Sequence, residues 1–535
     1  MKKIGLFWCL LLPLFVSAQI DDFSDFADQS DFAAFQQQSE QRFRNFQDSI
    51  NRRFVKELAR QWEEYELFQA KVRPQKPKPS APVFAPKDTT PKTPTELPVG
   101  DIIQPSDTTN PSIPTQDAIP SNPAPAPIDI PEETTPETDS TPEPVPIAIP
   151  EESSPEEWLP NTEQSYKVSI DFYQQPLTLS MPAAYTGVSM PDISEKSVAD
   201  LWKQLSQCDV SDYVSQCRYF EQQYHYNDWA VYEMVCDFAR SAFPKQYAVQ
   251  TVFTVFLLNQ LDIDAQVGRK INKLVVLLPS QTTIYAVPYI KHEDKFYYMF
   301  SLYPAVDNTQ SSIYTYSVKY TDKARPVDLH ISQPIRFPFQ PSDVSYTTPY
   351  WSDEGENPIP LKTNQNILDF YTHYPQVDMT VYATAQMTQE LMDWAERQIA
   401  PLLSEVTPDL AVMLLLDYIQ HDFDYATDGQ QFGYEKPFFC EENFYYAKND
   451  CEDRAILLSY FVRNFVQADI VLLDYPDHIA TAIAFPDDSE IAGDYYLLNG
   501  RKYFVCDPTY IGAGIGESMP QYDNVKPDII ILDIR

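Results

Sequence analysis

Positive charge is in short supply in this chain. Its 535 residues carry 39 Lys and Arg against 77 Asp and Glu, a formal net charge of −38. Nucleic acids and anionic lipid surfaces reward clustered Lys and Arg, so neither is an expected partner. Past the N-terminal leader, no run of apolar residues is long enough for a transmembrane segment. The seven cysteines form no C-x-x-C and no close Cys–His pairing, so no metal or cofactor is expected. No loop has the EF-hand pattern either, and nothing points to a calcium requirement. Glycine is scarce at 12, whereas 47 Pro, 35 Tyr and 31 Phe are present. Such an aromatic content can build large cores provided the prolines are segregated, and they are.

Residues 1–18 read as a cleavable secretory signal peptide. Lys2 and Lys3 precede an apolar run from Ile4 to Val16, and small residues follow at Ser17 and Ala18, after which cleavage is expected. Cys9 lies inside the apolar run and not at its end, which argues against a lipid-anchored cysteine. The expected location is a periplasm or the extracellular medium. The six remaining cysteines, Cys208, Cys217, Cys236, Cys440, Cys451 and Cys506, make one disulfide among the first three a reasonable expectation.

Residues 19–72 hold a Phe-rich amphipathic helical segment. From Phe43 through Phe46, Ile50, Phe54, Leu58 and Trp62 the apolar spacing is three or four. Packing on its own protein, or association with a copy or a partner, suits it better than a membrane surface, because Asp, Gln and Glu dominate its early polar face. Residues 73–160 carry about half of the 47 prolines, mixed with Thr, Ser, Asp and Glu. That composition predicts a disordered, semi-stiff linker.

Two α+β series follow, at 161–350 and 380–535. In the first, helices are expected over 197–205, 228–242 and 247–261, then strands over 273–278, 283–287, 295–300 and 312–320. In the second, helices over 386–403 and 408–423 precede an aromatic loop (430–446) and a helix opening at Cys451. Its strands are expected at 470–473, 478–483, 494–498 and 502–506. The series align as divergent repeats, Val276–Val287 beside Val471–Ala482, which sets His478 against Thr283 and Asp507 against Phe300. No cysteine lies between Cys236 and Cys440, so the first copy could keep the fold but not thiol chemistry.

The chemistry concentrates at Asn449-Asp450-Cys451-Glu452-Asp453-Arg454-Ala455. Asn449 or Asp450 can cap a helix whose dipole favours a thiolate at Cys451. The two adjacent acids oppose that, so Cys451 needs a base. His478 opens the second strand of this series, and Asp507 follows its last strand just before Pro508. Each residue alone is better explained structurally: a buried cysteine is commonly an inert small hydrophobe, and an Asp before Pro is a loop-former. Together they make the set that thiol catalysis requires, nucleophile, base and orienting carboxylate.

At these motifs, with Asp477-His478-Ile-Ala-Thr-Ala-Ile483 and Tyr503-Phe-Val-Cys-Asp507-Pro508-Thr509, the chain resembles the transglutaminase-like superfamily, relatives of papain-type enzymes. The resemblance covers roughly 400–515. It implies a helix-plus-antiparallel-sheet domain with Cys451 as nucleophile, His478 as general acid/base and Asp507 as orienting residue. Asn449 departs from the Gly or Ser that many relatives carry near the cysteine. Residues 228–300 more loosely resemble degenerate transglutaminase-like domains paired with active ones in exported proteins of Bacteroidetes-type bacteria.

The backbone N–H of Cys451 is one expected oxyanion donor, with Gln431, Tyr445 and Tyr446 as candidates for a second. His421 and Asp422 are candidates for support. The expected function is exported, thiol-dependent acyl transfer on peptide or amide bonds of a peptide or protein substrate, as a protease or amidase more than as a crosslinker. A catalytically silent binding or scaffold protein is the alternative. A redox role for Cys451 with Cys440 or Cys506 ranks third.

Overall fold

A computed structural model describes residues 47–73, 78–86, 93–104, 164–304, 312–351, 358–466, 468–486 and 491–532. The expected signal peptide, most of the Phe-rich segment and the part of the expected linker from 105 on lie outside the described residues. The architecture is mixed α+β.

Helix α1 (47–58) leads into strand β1 (Glu63–Phe68), and three short strands follow: β2 (Val83–Phe84), β3 (Thr95–Glu96) and β4 (Ile102–Ile103). The hairpin β5 (Ser165–Phe172) and β6 (Gln175–Pro182) opens the first series. Helices α2 (Glu195–Ser206), α3 (Ser211–Tyr224), α4 (Asp228–Ala242) and α5 (Tyr247–Gln260) come next. Strands β7 (Gln266–Lys270), β8 (Lys273–Pro279), β9 (Tyr289–His292), β10 (Lys295–Phe300) and β11 (Ser312–Thr315) complete it.

The second series opens with helices α6 (Gln365–His373), α7 (Met379–Thr384), α8 (Gln389–Gln398), α9 (Ala400–Ser404) and α10 (Pro408–Asp422). Strand β12 (Asp424–Tyr425), helix α11 (Asp428–Gln431) and strand β13 (Lys448–Asn449) lead to helix α12 (Cys451–Phe465). The rest is β14 (Asp469–Tyr475), β15 (His478–Ala484), β16 (Asp494–Leu498), β17 (Arg501–Cys506), β18 (Tyr510–Ile511) and β19 (Asp528–Ile531).

Two helices sit at the centre: α5 is apolar on nearly every side, and α12 is so from Ala455 to Val462, beyond its charged first turn. Every residue of α5 from Val249 to Gln260 is buried, and so is every residue of α12 from Cys451 to Val462. A helix without a polar face has to be enclosed. Each is followed by strands in one spatial order, β7-β8-β10-β9 after α5 and β14-β15-β17-β16 after α12. The two series therefore share a strand order, shifted by one strand from the sequence alignment. By topology β8 corresponds to β15, not to β14. Two neighbouring apolar strands look alike in sequence, so a gapless match cannot tell which pairs with which.

The expected strand over 283–287 does not form. Ile284 makes only an isolated bridge to Val377 and Ala286 has φ +60°; the strand in that place is β9. In the corrected register the first residues of α5 and β8, Tyr247 and Lys273, stand where Cys451 and His478 stand in the second series. Ser301, one past β10, matches Asp507, one past β17. Nearby, the rings of Tyr247 and Tyr303 lie 5.0 Å apart, with Lys273 Nζ 5.5 Å from the Tyr303 centroid. The first copy has neither thiol nor imidazole at these places.

The sheets close differently. In the first series β1 pairs with both β9 and β11 and completes a six-stranded barrel. Helix α1 docks beside it: Phe54, Leu58 and Trp62 are buried, and Asn51 Oδ1 accepts from Trp202 Nε1 (3.2 Å) and Tyr320 Oη (3.1 Å). The described part of the Phe-rich segment thus packs on its own chain.

In the second series the open sheet has its edges covered by the segment that composition assigns to a disordered linker. Strand β3 lies parallel to β16 at one edge, and β4 lies parallel to β19 at the other. Unpaired edge N–H and C=O groups attract any extended chain, and a few residues of a Pro-rich segment suffice to cover them. Residues 78–86 and 93–104 are in this respect a strap and not a free spacer. The six described cysteines are all buried and none is joined to another, so the expected disulfide among Cys208, Cys217 and Cys236 does not form.

Candidate active site

Asp450 caps α12, and Asp453 completes a capping box. Asp453 Oδ2 accepts from Asp450 N–H (3.1 Å), while its Oδ1 accepts from Phe438 N–H (2.9 Å) and ties the aromatic loop to the helix start. Cys451 is the first helical residue and fully buried. Its sulfur accepts the backbone N–H of Ile479, the residue after His478, so the helix start abuts the start of β15.

His478 Nε2 lies 2.8 Å from Asp507 Oδ2. An ionised carboxylate can only accept, so Nε2 is the donor and Nδ1 keeps a bare lone pair. Nδ1 is buried with no hydrogen-bond partner. Asp507 Oδ1 accepts from Thr509 N–H (2.9 Å), and Gln420 Nε2 donates to the carbonyls of Asp507 and Ala513 (3.1 Å each). His478 thus pairs with Asp507, and the start of the Cys451 helix adjoins the strand that His478 opens. The thiol is nevertheless turned aside: Cys451 Sγ donates to Glu452 Oε2 at 3.1 Å.

Three contributors left no signal in the sequence. Tyr522 lies parallel to the imidazole at 5.3 Å and 8°, and Tyr475 at 6.2 Å and 19°. Tyr522 Oη is held by Asp477 (3.1 Å) and Tyr475 Oη by Tyr496 (2.7 Å), so the stack fixes the plane of the His478 ring. The third is Lys78, from the strap. Its Nζ meets Asp450 Oδ2 (2.9 Å), Glu435 Oε1 (3.0 Å) and Glu452 Oε1, and its side chain is 2% exposed. Only proximity in the fold could reveal a partner more than 370 residues away in the chain.

Of the other candidates, Gln431 donates to Lys448 O, and Tyr446 packs on Phe432 and Phe438. His421 bonds Asp417 on its own helix, while Asp422 holds Tyr346 and Thr348. None of these contacts reaches Cys451.

The electrostatics are those of a closed site. Burial first, and then the Glu452 charge, push the Cys451 thiol well above its usual range, against the opposing pull of Lys78. Burial and Glu452 likewise push Asp428 and Glu435 up to about 7. Burial would raise Glu452 too, but the Lys78 ammonium wins and holds it below the usual carboxylate range. Carboxylate oxygens of Asp428, Glu435 and Glu452 lie within 4.8 Å of one another, a spacing that would suit a divalent ion. Lys78 brings the positive charge there.

Burial thus raises the proton affinities of Asp428, Glu435, Asp450 and Asp453 while Lys78 opposes it at each, and at Glu452 alone the ammonium prevails.

The turn after β17 needs glycine at one point. Gly516 has φ +74°, and an added Cβ would lie 2.2 Å from Ala492 O. Gly516 also donates to Val505 O (2.8 Å) and accepts from Asp494 N–H (2.8 Å). Gly516→Ala should cost about 2–3 kcal/mol in denaturant melts.

Among the described residues no helix is long and apolar enough to cross a membrane. No family model, no curated protein and no solved structure matches this chain.

Proposed function

We propose that this protein is an exported, thiol-dependent acyl-transfer enzyme of transglutaminase-like type, acting on peptide or amide bonds. Cys451 is the nucleophile, His478 the general acid/base and Asp507 its orienting carboxylate. Hydrolysis is favoured over crosslinking, because water is always at hand and no acceptor amine is specified. The observation that carries the reading is the buried His478–Asp507 pair, whose spare nitrogen Nδ1 has no partner beside a helix that begins with a cysteine.

In the reaction the thiol proton passes to His478 Nδ1 and the sulfur attacks the carbonyl carbon, with charge developing on the carbonyl oxygen. The backbone N–H of Cys451 is the expected donor to that oxygen, and the N–H of Ile479, which reaches the sulfur, is a second candidate. The imidazolium then protonates the departing amine, the C–N bond breaks, and a thioester remains. Water, deprotonated by Nδ1, releases the acid and restores the thiol.

Full burial of Cys451 and its bond to Glu452 favour a second reading, a catalytically silent binding protein. Incubation with an activated acyl donor separates the two. Intact mass should rise by a single acyl group, mapped to the Cys451 peptide. A protein that acquires no adduct at Cys451, at pH 5.5 as at pH 8, is not the enzyme proposed.

A further inference from the structure

The geometry points to a subsite beside Cys451 that reads a lysyl side chain of an extended peptide, with residues 78–85 as the occupant supplied by the chain itself. This rests on the acyl-transfer reading and adds its substrate class. Three carboxylates, Asp450, Glu435 and Glu452, converge on Lys78 Nζ, whose side chain is buried although Ser80 and Ala81 just beyond it are exposed. Glu452 bridges subsite and nucleophile: Oε1 holds the ammonium and Oε2 lies 3.1 Å from Cys451 Sγ. A side chain in this pocket therefore sits one carboxylate away from the reacting sulfur.

Asp450 Oδ1 is buried without a hydrogen-bond partner, and Asp428 adds a further buried carboxylate beside it. Lys78 is the cation that holds the buried Glu452 carboxylate ionised, so a cationic guest gains more here than at a surface ion pair.

What marks the guest as a peptide is the neighbouring main chain. Five residues beyond Lys78, Val83–Phe84 pairs parallel with Tyr510–Ile511, and Ala85 N–H donates to Ile511 O at 2.9 Å. Tyr510–Ile511 follow directly on the Asp507 turn. One extended segment thus places its lysine in the acid pocket and its backbone on a two-residue edge. This is strand addition with a side-chain pocket, the usual division between affinity and specificity in peptide grooves. A bare divalent ion would use the carboxylates but not the edge.

The test uses the full chain carrying Lys78→Ala and Cys451→Ala, with a fluorescent peptide of the sequence Lys-Pro-Ser-Ala-Pro-Val-Phe-Ala and a twin with norleucine for lysine. The lysyl peptide should bind at least about tenfold more tightly than its twin. It should also bind at least about tenfold more tightly to this variant than to one that keeps Lys78. Should Lys78→Ala destabilise the fold, n-propylammonium, and not n-propanol, should raise its melting temperature by refilling the pocket. Equal binding of the two peptides, no binding of either, or stabilisation by calcium alone would overturn the subsite. So would an unstable variant that neither amine nor peptide rescues. Binding is read without the thiol, so a wild type that never forms an acyl adduct would sink the enzyme reading separately.

Discussion

Cys451→Ala should abolish labelling by a thiol-directed acyl probe, and His478→Ala should slow it by about 10²–10⁴-fold at neutral pH. The difference between the two has a physical basis. Without the sulfur no covalent bond can form at this site. Without the imidazole a thiol remains, but one that burial and Glu452 hold protonated. Helix-dipole stabilisation at N1 cannot overcome that alone, so nearly all reactivity depends on proton transfer to Nδ1.

Asp507→Asn should fall between wild type and His478→Ala. The amide keeps an oxygen near Nε2 but can present its NH₂ instead, which would select the wrong tautomer and put the proton on Nδ1. Labelling rates across pH for the four proteins measure all of this. Labelling that survives Cys451→Ala would place the chemistry elsewhere. A rate unaffected by His478→Ala would point to the redox role, in which Cys451 acts with Cys440 or Cys506; both of those are buried and unpaired here.

The sequence was most legible where the signal is local. The start of α12 at Cys451, the start of β15 at His478 and the end of β17 at Cys506 fall where capping residues and alternating apolar positions put them. Fold class, as mixed α+β, follows from the same signals. The expected transglutaminase-like architecture is a finer matter and stays with the proposal.

Non-local pairing was illegible. The strand order repeated after α5 and α12 was visible only as two similar apolar runs, and a gapless alignment joined the wrong members. Helix α3 was missed because its buried residues are few, Tyr213 and Cys217 among polar neighbours. The strap was missed for an opposite reason. Its composition cannot build a core of its own, and the inference to disorder holds for an isolated segment. Residues 78–86 and 93–104 instead borrow finished strands, which ask of them only free N–H and C=O groups and one ammonium. Carboxylates in the Cys451 motif gave a hint, since several buried acids together require a cation from somewhere.

Arg454 carries the second large effect, on stability. It stands three residues beyond the nucleophile and is buried. Its Nε donates to Asn449 Oδ1 (2.8 Å) and its Nη2 to Phe423 O (2.6 Å), with the Tyr425 ring 5.7 Å away. It thereby joins the first turn of α12 to both short strands before it, β12 and β13. Burial lowers the guanidinium below its usual range, against the raising influence of Tyr425, Asp453, Asp450 and Asp507.

Arg454→Leu would remove the guanidinium donor from Asn449 Oδ1 and from the Phe423 carbonyl, each at about 1–3 kcal/mol. It would also withdraw positive charge from a region crowded with buried acids. We expect a loss of about 3–5 kcal/mol in urea melts of the full chain. Arg454→Lys should recover part of it, because one ammonium can reach one acceptor but cannot span two. A loss under about 1 kcal/mol for Arg454→Leu would mean that the guanidinium does not brace the turn. The cap at Asp450 and the box with Asp453 would then hold Cys451 in place by themselves.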